Sequence, residues 1–594
     1  MNNPSKKTRL KKIMLAILTI PAFLIIMKVT SFFNQHTLFI NGQIITMTGP
    51  QRSAEAVLVK NGKIVKIGSS DELLPYDDWM TNIIDLKGKT LMPGLIEAHC
   101  HPIITSILSQ IFDLSRYDYS SRIDILEAIK TEVEKTHEDD WLIVFGWDPV
   151  RVDDLDKPTL AELDELSPDI PMLIVTKMGH TGFVNSAGYR AAGISKDSPD
   201  PVGSGAFLKD ENGELNGVVY EVTALQYILK HLPKTPTSVI KLLLNIQYAD
   251  YARAGYTSIG VLGPVEKAGY PLDFMEEVST NSDVSVRTFI YGLENQVDQS
   301  GWQVNYGHDR FRLKGVKLYL DGSPFNGGAA FAEPYENTPL INDRLGLQID
   351  HVGKANYSPH SFTELVQKYH DQDYQIAIHV QGETAVEIAL DAIEFALQRN
   401  PRPDNRHRLE HNALITHEQI KRAKQLGVTL SFFVDHILYY GDKLEQIVGP
   451  DRTNRYMPLG TAINGGHFAS IHTDNPVTPL GSFRSVKTAV LRQAEKTGET
   501  IGEHEKLSIY KALKTVTHYP AWQFFEEKNI GSIEEGKAAD FVILGENPLD
   551  IDPDRLDKIE VVETWIGGRK VNTSYWTWTN FILALSAAGD MMWM

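Results

Sequence analysis

The stretch Pro93-Gly94-Leu95-Ile96-Glu97-Ala98-His99-Cys100-His101 carries the strongest indication of the fold of this chain. After its Pro-Gly turn it has the pattern of a short buried strand. Side chains alternate between the two faces of a strand, so His99 and His101 point the same way and Cys100 points the opposite way. Two imidazoles on one face at the end of a strand are a natural pair of metal ligands. An isolated HxH pattern is common by chance, so the metal interpretation depends on the residues that accompany it.

Four further polar residues stand at the C-terminal ends of predicted strands, namely Lys317, His379, His411 and Asp474. The separation of His379 from His411 is close to one βα unit. The separation of His411 from Asp474 is about twice as long, and segment 428–434 supplies the strand expected between them. Polar residues at successive strand ends of a barrel converge on its C-terminal mouth. Their order and spacing therefore predict one functional site at the mouth of a (β/α)8 TIM barrel.

The middle of the chain alternates strand-like and helix-like segments, which is typical of an α/β barrel. We expect this barrel over residues 93–529, with an insertion at about 110–241 that is too long for simple βα repetition and covers the barrel mouth. The alternating segments are 315–320, 362–370, 374–380, 387–398 and 418–426.

Strand-like sequence also stands at both ends of the chain. Asn61-Gly62 lies between two alternating segments and is a strong hairpin signal, and Gly567-Gly568 predicts a second turn. We expect the two ends to pair into a small β-sandwich, with residues 37–92 as its first part and 530–573 as its second. An apolar tail follows at 574–594.

The first residues predict a membrane-targeting segment at 1–33. A basic stretch that includes Lys6 and Lys12 precedes an apolar run at 13–27, which is the pattern of a signal anchor or of a signal peptide cleaved after Ser31. A hydrophobic anchor helix would place the protein in the cytoplasmic membrane as a single-pass protein, with its folded part on the outer, periplasmic or extracellular, face. Cleavage would instead give a secreted protein.

The composition excludes some classes of function. The formal net charge of −18 argues against a nucleic-acid partner, because phosphate-binding surfaces need clustered Lys and Arg. Hydrophobic residues make up 42% of the 594 residues, enough to bury the core of a large barrel. Cys100 is the single cysteine, so an internal disulfide is impossible. A small-molecule substrate is the expected partner, and a homo-oligomer is compatible with these properties.

Several longer motifs connect the chain to a known family. With them the chain, from about residue 38 to 571, resembles the YtcJ-like branch of the amidohydrolase superfamily, which includes N-substituted formamide deformylase. The motifs are Gly146-Trp147-Asp148, Lys157-Pro158-Thr159, Gly179-His180, His379-Val380-Gln381-Gly382-Glu383, Leu409-Glu410-His411, His472-Thr473-Asp474-Asn475-Pro476-Val477 and Glu535-Gly536-Lys537-Ala538-Ala539-Asp540.

The resemblance implies a metal centre that holds a pair of divalent ions, with zinc as the expected metal. Mn, Fe or Co would suit the same ligands, and a centre whose Lys317 is not carboxylated would hold one ion. One ion would bind His99, His101 and Asp474, and the other would bind His379 and His411. Lys317 would be N-carboxylated and bridge both ions. Asp474 would also be the catalytic residue that moves a proton from water to the departing amine.

Five other residues are expected around this centre. His180, Trp147 and His436 are candidates for substrate contact, although a structural role in the core explains each of them as well. His472 shares a strand face with the acidic ligand two residues further on. We expect His472 and Asp321 to support the metal ligands through hydrogen bonds.

The expected function is hydrolysis of a C–N bond in an amide, a formamide or a cyclic amide of a small molecule by metal-activated water. The same chemistry attacks esters and lactones, so an esterase or lactonase is an alternative. A regulatory or binding protein without catalysis is a second alternative, because fold does not determine function. The intact set of metal-binding side chains argues against this second alternative.

Overall fold

The computed structural model describes residues 36–592, apart from 50–52, 78–80, 110, 115–118, 120, 138–139, 202–204, 233–234, 265–271 and 282–285. The targeting segment predicted at 1–33 lies outside the described residues. Among the helices that are described, none combines the length and the apolar character needed to cross a membrane.

Short strands open the described chain: β1 (His36–Ile40), β2 (Gln43–Ile45), β3 (Ser53–Ala54), β4 (Ala56–Lys60), β5 (Lys63–Gly68), β6 (Thr81–Asp85) and β7 (Thr90–Pro93). β4 and β5 form an antiparallel hairpin in which Lys60 pairs with Lys63. The turn between them has Asn61 and Gly62 at φ of 52° and 75°, the left-handed conformation that a two-residue hairpin turn requires. The hairpin predicted from the Asn-Gly pair is therefore confirmed.

The first barrel strand, β8 (Leu95–Cys100), is followed by the region predicted as an insertion. The strands of this region are β9 (Phe112–Asp113), β10 (Leu142–Trp147), β11 (Met172–Thr176), β12 (Thr181–Val184), β13 (Ala206–Lys209) and β14 (Leu215–Tyr220). They form their own sheet in the order β13-β14-β12-β11-β10-β9, and buried apolar side chains such as Trp147 and Leu163 make a core beneath it.

The remaining barrel strands continue in chain order after the insertion. They are β15 (Tyr256–Leu262), β16 (Arg287–Leu293), β18 (Phe311–Tyr319), β19 (Gln375–Val380), β20 (Arg408–His411), β21 (Thr429–Phe432) and β22 (Ser470–Ile471), and β17 (Gly307–His308) pairs with β18. Neighbouring strands are parallel from β8 through β15 and β16 to β22. The His101 N–H donates to the Asn475 carbonyl at 2.9 Å, which brings the last strand back towards the first. The result is a nearly closed parallel barrel, consistent with the predicted (β/α)8 fold.

The two ends of the chain meet in one sheet. β23 (Phe541–Leu544), which is followed by β24 (Val561–Ile566) and β25 (Arg569–Lys570), pairs antiparallel with β7. This sheet has the order β25-β24-β23-β7-β2-β3, and a second sheet has the order β5-β4-β1-β6. Phe39 of the second sheet makes edge contacts with Phe541 and Trp565 of the first. The predicted β-sandwich and its boundaries stay predictions, and these contacts agree with the expected pairing of the ends.

Helices follow many of the strands, and two of them, α10 (Pro359–His370) and α11 (Glu383–Arg399), pack against barrel strand β19. Segments 362–370 and 387–398, predicted as helices, fall in α10 and α11, and the predicted helix 418–426 matches α12 (His417–Gln425) to within one residue. The C-terminal tail forms α19 (Trp578–Met592), which packs against α7 (Thr237–Arg253), and Asn245 Nδ2 donates a 2.6 Å hydrogen bond to Asn580 Oδ1 between them. The helices are α1 (Ser70–Leu73), α2 (Pro102–Leu108), α3 (Arg122–Val133), α4 (Leu160–Leu166), α5 (Ser186–Ala191), α6 (Val222–Leu229), α7 (Thr237–Arg253), α8 (Leu272–Asn281), α9 (Glu294–Ser300), α10 (Pro359–His370), α11 (Glu383–Arg399), α12 (His417–Gln425), α13 (Asp435–Tyr440), α14 (Leu444–Asn454), α15 (Leu459–Asn464), α16 (Ser482–Leu491), α17 (Ile509–Lys514), α18 (His518–Gln523) and α19 (Trp578–Met592).

A buried ion pair joins the barrel to the sheet of the chain ends. Arg287 at the start of β16 donates from Nε to Asp540 Oδ2 at 2.6 Å and from Nη2 to Asp540 Oδ1 at 3.1 Å. The Gly567 N–H also donates to Asp540 Oδ1, at 2.7 Å. Both charged side chains are buried, so each depends on the other for compensation.

Replacement of Asp540 should therefore destabilise the protein. Asp540→Ala leaves the Arg287 guanidinium buried without its main partner, and we expect a loss of about 3–5 kcal/mol in the free energy of unfolding, measured by urea denaturation. Asp309→Ala is the control, because Asp309 also lies 2.7 Å from Arg287 but its side chain is 78% exposed. The control should lower the free energy of unfolding by less than about 1 kcal/mol. Equal losses for the two variants would show that Asp540 is not the main partner of Arg287.

Candidate metal centre

His99, His101 and Asp474 form one group of potential ligands at the barrel mouth. His99 and His101 leave β8 on the same side, as predicted, and their ring centroids lie 5.2 Å apart. Asp474 Oδ1 lies 3.0 Å from His101 Nε2 and 3.6 Å from His99 Nε2. One ligand atom from each of the three residues therefore lies within 4.8 Å of the other two. Such a cluster of two imidazoles and a carboxylate can hold a divalent ion.

Glu97 holds the segment that carries Asp474 in place. Its Oε2 accepts a 2.8 Å hydrogen bond from Thr473 Oγ1, and its Oε1 accepts from the N–H groups of Thr473 and His99, each at 3.2 Å. Burial raises the pKa of Glu97 to about 7, against the hydrogen bonds that lower it. Glu97 thus connects β8 to the residues after β22 just below the ligands.

The other predicted ligands lie beside this group. The rings of His379 and His411, at the ends of β19 and β20, are 4.3 Å apart between centroids. Lys317 Nζ, near the end of β18, lies 3.4 Å from His99 Nε2. His472 Nε2 lies 3.2 Å from His411 Nδ1, and His99, His411 and His472 form a second group with ligand atoms within 4.8 Å of one another. The structure thus brings all six predicted ligands together and places His472 directly among them.

The electrostatics of these side chains suit metal binding. Burial lowers the pKa of His99, His379 and His411 well below the usual value, which keeps their imidazoles neutral as metal coordination requires. Burial also lowers the pKa of Lys317 to about 8, so a neutral amine, the form that reacts with carbon dioxide, is accessible near neutral pH. Burial alone would raise the pKa of Asp474, but the hydrogen bond and charge of His101 outweigh it and hold the value at about 2.

One unsatisfied atom supports the metal interpretation independently. His379 Nε2 is buried and has no hydrogen-bond partner within the described part of the chain. An unsatisfied buried nitrogen is costly, and a bound cation would satisfy it. The donor set of imidazole nitrogens, carboxylate oxygens and a lysine amine therefore fits a divalent metal.

Glu410 is a functional residue that sequence reasoning missed. Its Oε2 lies 2.9 Å from His99 Nδ1, and its Oε1 accepts from Arg408 Nε at 2.6 Å. An ionised carboxylate can only accept, so Nδ1 of His99 carries the hydrogen and Nε2 is left for a metal. The available signal was the Arg408-x-Glu410 spacing, which puts both side chains on one face of β20.

Asp321 supports the loop that follows β19. It accepts backbone N–H bonds from Gln381 at 2.9 Å, Gly382 at 2.9 Å and Ala330 at 3.0 Å, and its Oδ1 lies 3.9 Å from His379 Nε2. Burial raises the pKa of Asp321 to about 7 although these three hydrogen bonds lower it. Asp321 therefore holds backbone near His379 but makes no hydrogen bond to the His379 ring, so the supporting role expected for Asp321 stays a prediction.

The three predicted substrate contacts lie at different distances from the ligands. The ring centroid of His180 is 5.6 Å from that of His379. His436 is buried, its Nδ1 lies 3.1 Å from Tyr456 Oη, and its ring meets Phe325 edge-on at 4.7 Å. Trp147 lines a cavity of about 130 Å³ whose walls do not include the ligands. Substrate contact stays a prediction for all three residues.

Comparison with known proteins identifies the family of the chain and agrees with its fold. A family model described as the Amidohydrolase family matches residues 82–572, so the chain belongs to that family. A Bacillus subtilis (strain 168) protein named as the amidohydrolase YtcJ is 30% identical over 550 residues, which cover 89% of this chain and 98% of that protein. The N-substituted formamide deformylase of Arthrobacter pascens is 25% identical over 548 residues, with coverage of 89% and 97%. A solved structure of an uncharacterized metal-dependent hydrolase from Pyrococcus horikoshii OT3 superposes with a TM-score of 0.68 at 23% identity, covers 87% of this chain and 99% of its own, and shows the same fold.

The role of Glu410 leads to a prediction about metal affinity. Glu410→Gln weakens the hydrogen bond that orients His99, so we expect zinc to bind about 10- to 100-fold more weakly in competition with a chromophoric chelator. Circular dichroism will show whether the variant is folded, since Arg408 loses a charged partner. Glu387→Gln, at an exposed position on α11, is the control and should leave the affinity unchanged. An unchanged affinity in folded Glu410→Gln would refute the role.

Proposed function

We propose that this protein is a metal-dependent amidohydrolase that cleaves the C–N bond of an amide or a formamide in a small molecule. The observation that carries the proposal is the convergence of His99, His101, Lys317, His379, His411 and Asp474, from five regions of the barrel, on one buried point. Membership of the amidohydrolase family supports the reaction type. The similarity to an N-substituted formamide deformylase makes formamides the first substrates to test.

The ligands divide between a pair of metal ions, with zinc as the proposed metal. His99, His101 and Asp474 would hold one ion, and His379 and His411 would hold the other, with His472 close enough to support either. Lys317, carboxylated on Nζ, would reach both. Metal ions at this position would lower the pKa of water towards neutrality and polarise the scissile carbonyl.

Asp474 provides the proton transfer in this proposal. As a carboxylate among the ligands, Asp474 can accept a proton from the attacking water. The same proton then passes to the nitrogen of the departing amine as the C–N bond breaks. Both transfers need the carboxylate near the water and the leaving group, and the position of Asp474 beside His101 and His99 supplies this proximity.

The cavity beside Trp147 is the proposed place for the substituent of the substrate. Met178, Phe183, Phe325 and Leu347 line it together with Trp147, so its wall is largely apolar. An alkyl or aromatic group on the amide nitrogen suits such a wall. Membrane contact through residues 1–33 and a homo-oligomer also remain proposals, and both rest on sequence alone.

Metal content tests the bridging role of Lys317. Elemental analysis of protein purified without chelators should give about two divalent ions per chain. Lys317→Ala should lower this to about one, because the bridging ligand is lost. Lys314→Ala is a matched control, since Lys314 is also a buried lysine of β18 but pairs with Glu526 at 2.8 Å. A single ion in the unaltered protein would contradict the bridge, and none after supply of zinc and bicarbonate would overturn the hydrolase proposal.

Substitution of Asp474 tests the reaction itself. Asp474→Asn removes the proton acceptor, and we expect kcat/KM on N-substituted formamides to fall by about 10²- to 10⁴-fold. The rate is measured from the amine that hydrolysis releases. Asp451→Asn, at an exposed position, should retain activity. Hydrolysis of esters or lactones without hydrolysis of amides would favour the esterase alternative. Binding without turnover would favour the non-catalytic alternative.

A further inference from the structure

His180 lies at the edge of the metal centre but comes from the inserted region. A turn precedes it, in which the Gly179 N–H donates to the Thr176 carbonyl at 2.9 Å and Gly179 has a φ of 69°. This turn places His180 directly before β12, with its ring centroid 5.6 Å from that of His379. The inserted region thus contributes an imidazole beside those that the barrel supplies.

Glu221 determines which nitrogen of His180 carries the hydrogen. Its Oε2 lies 2.8 Å from His180 Nδ1, and both side chains are buried. Because an ionised carboxylate only accepts hydrogen bonds, Nδ1 carries the hydrogen of the neutral ring and Nε2 carries a lone pair. A second proton would add positive charge beside the cations that His379 is proposed to hold, so the neutral ring is the form that fits the metal-loaded centre.

Nε2 of His180 is open to a ligand. In the part of the chain that the structure describes, no protein group hydrogen-bonds to this nitrogen. Nε2 lies across the ring from Nδ1 and therefore faces away from Glu221, and the side chain keeps 10% of its surface exposed. Its lone pair can accept a hydrogen bond from a molecule bound beside His379.

The backbone of Glu221 is strained. Its φ of 64° and ψ of 157° lie in a region that essentially only glycine adopts without cost. A glycine at this position would avoid the strain but would lack the carboxylate. Strain of this kind is concentrated at functional sites, where the surrounding structure enforces it. The strained glutamate therefore points to a need for its side chain.

The neighbouring loop is shaped around the carboxylate of Glu221. A Cβ atom on Gly322 would lie 2.7 Å from Glu221 Oε1, and one on Gly328 would lie 2.8 Å from it, closer than real Cβ atoms approach. Asn326 Nδ2 donates to the same oxygen at 3.4 Å. The loop that follows β18 therefore holds the second oxygen of the carboxylate while the first oxygen accepts from His180.

We propose that Nε2 of His180 accepts a hydrogen bond from the N–H group of the scissile amide, which makes the site selective for amides and formamides with a single substituent on nitrogen. The inference rests on the proposed function and deepens it by naming the substrate class. His180 is the residue that contacts the substrate, and Glu221 is the positioning residue that keeps Nε2 free of hydrogen. An N,N-disubstituted formamide has no N–H group and would leave this lone pair without a partner.

This hydrogen bond becomes stronger as the reaction proceeds. Addition of water to the carbonyl carbon turns the amide nitrogen into an amine, and the proton from Asp474 then gives this nitrogen a positive charge. An N–H group of the charged nitrogen donates a charge-assisted hydrogen bond to Nε2, which is stronger than the bond made by the neutral amide. When the C–N bond breaks, its electron pair stays on the nitrogen and the neutral amine departs. His180 gains and loses no proton in this sequence.

The test compares an amide with its ester isostere. N-butylformamide and butyl formate differ in the N–H group that His180 is proposed to bind. In zinc-loaded protein, His180→Phe should lower kcat/KM on N-butylformamide by about 10- to 100-fold and that on butyl formate by less than about threefold, because only the amide loses a hydrogen bond. Glu221→Gln should have the same selective effect but a smaller one, since the glutamine amide can donate to Nδ1 and move the ring hydrogen to Nε2. Zinc content should equal that of the unaltered protein in both variants.

Glu505→Gln is the matched control. Glu505 is a buried carboxylate that accepts hydrogen bonds from the backbone and the hydroxyl of Thr461, and its substitution should leave the ratio of the two rates unchanged. An equal fall on both substrates in His180→Phe, or an unchanged rate on N-butylformamide, would overturn the hydrogen bond while the hydrolase proposal stood.

Binding decides the matter if the unaltered protein hydrolyses no formamide. In that case the proposed function fails, and calorimetry on the same zinc-loaded protein measures the affinity for the intact amide. Binding of N-butylformamide about 3- to 10-fold tighter than that of N-butyl-N-methylformamide, with the difference lost in His180→Phe, would support the hydrogen bond. Equal affinities of the unaltered protein for the two formamides would overturn it.

Discussion

The carboxylate of Glu410 is the contact on which the geometry of the metal centre depends. It lies inside the barrel, fully buried, between Arg408 on its own strand and His99 on β8. A buried charge is costly unless it is paired and hydrogen-bonded. The Glu410 carboxylate therefore has to contact both the Arg408 guanidinium and the His99 imidazole. Once they are, the His99 ring is oriented and its Nε2 faces Lys317 and Asp474. The rest of the ligand cluster is built around that nitrogen.

Glu97 adds a second constraint from the same strand. By binding Thr473, it fixes the segment after β22, where the barrel comes nearest to closing. Asp474, the next residue, has a φ of 53°, a left-handed conformation that turns the chain away from the strand direction. This turn, together with the hydrogen bond from the His101 N–H to the Asn475 carbonyl, brings the carboxylate over the first strand. The same contacts therefore hold the barrel near closure and place Asp474 beside His99 and His101.

The parts of this molecule that could be predicted from sequence are those that depend on local geometry. The Asn61-Gly62 hairpin follows from turn conformation, and the shared direction of His99 and His101 follows from the two-residue period of a strand. Contacts between distant segments could not be predicted in the same way. Glu410 meets His99 across 311 positions of sequence, and Glu221 meets His180 across 41, and neither pairing has a local pattern. Both are carboxylate–imidazole contacts, which appear only once the barrel and the inserted sheet are folded.

The charges around the site indicate why a cation belongs there. Buried carboxylates surround the histidines, namely those of Glu97, Glu221, Asp321, Glu410 and Asp474. Arg408 pairs with Glu410, and His180 pairs with Glu221. Burial lowers the pKa of Lys317, which weakens this lysine as a counter-charge for the others. Burial holds the pKa of both Glu97 and Asp321 near 7, so these two groups lack full compensation from the protein. A divalent cation among the imidazoles would supply the missing positive charge and favour their ionised forms. The barrel thus supplies the ligands and most of the negative charge, whereas the inserted region supplies His180, Glu221 and part of the apolar cavity wall. Under the proposed function, this division would let the metal centre stay the same while the inserted region determines which substrate reaches it.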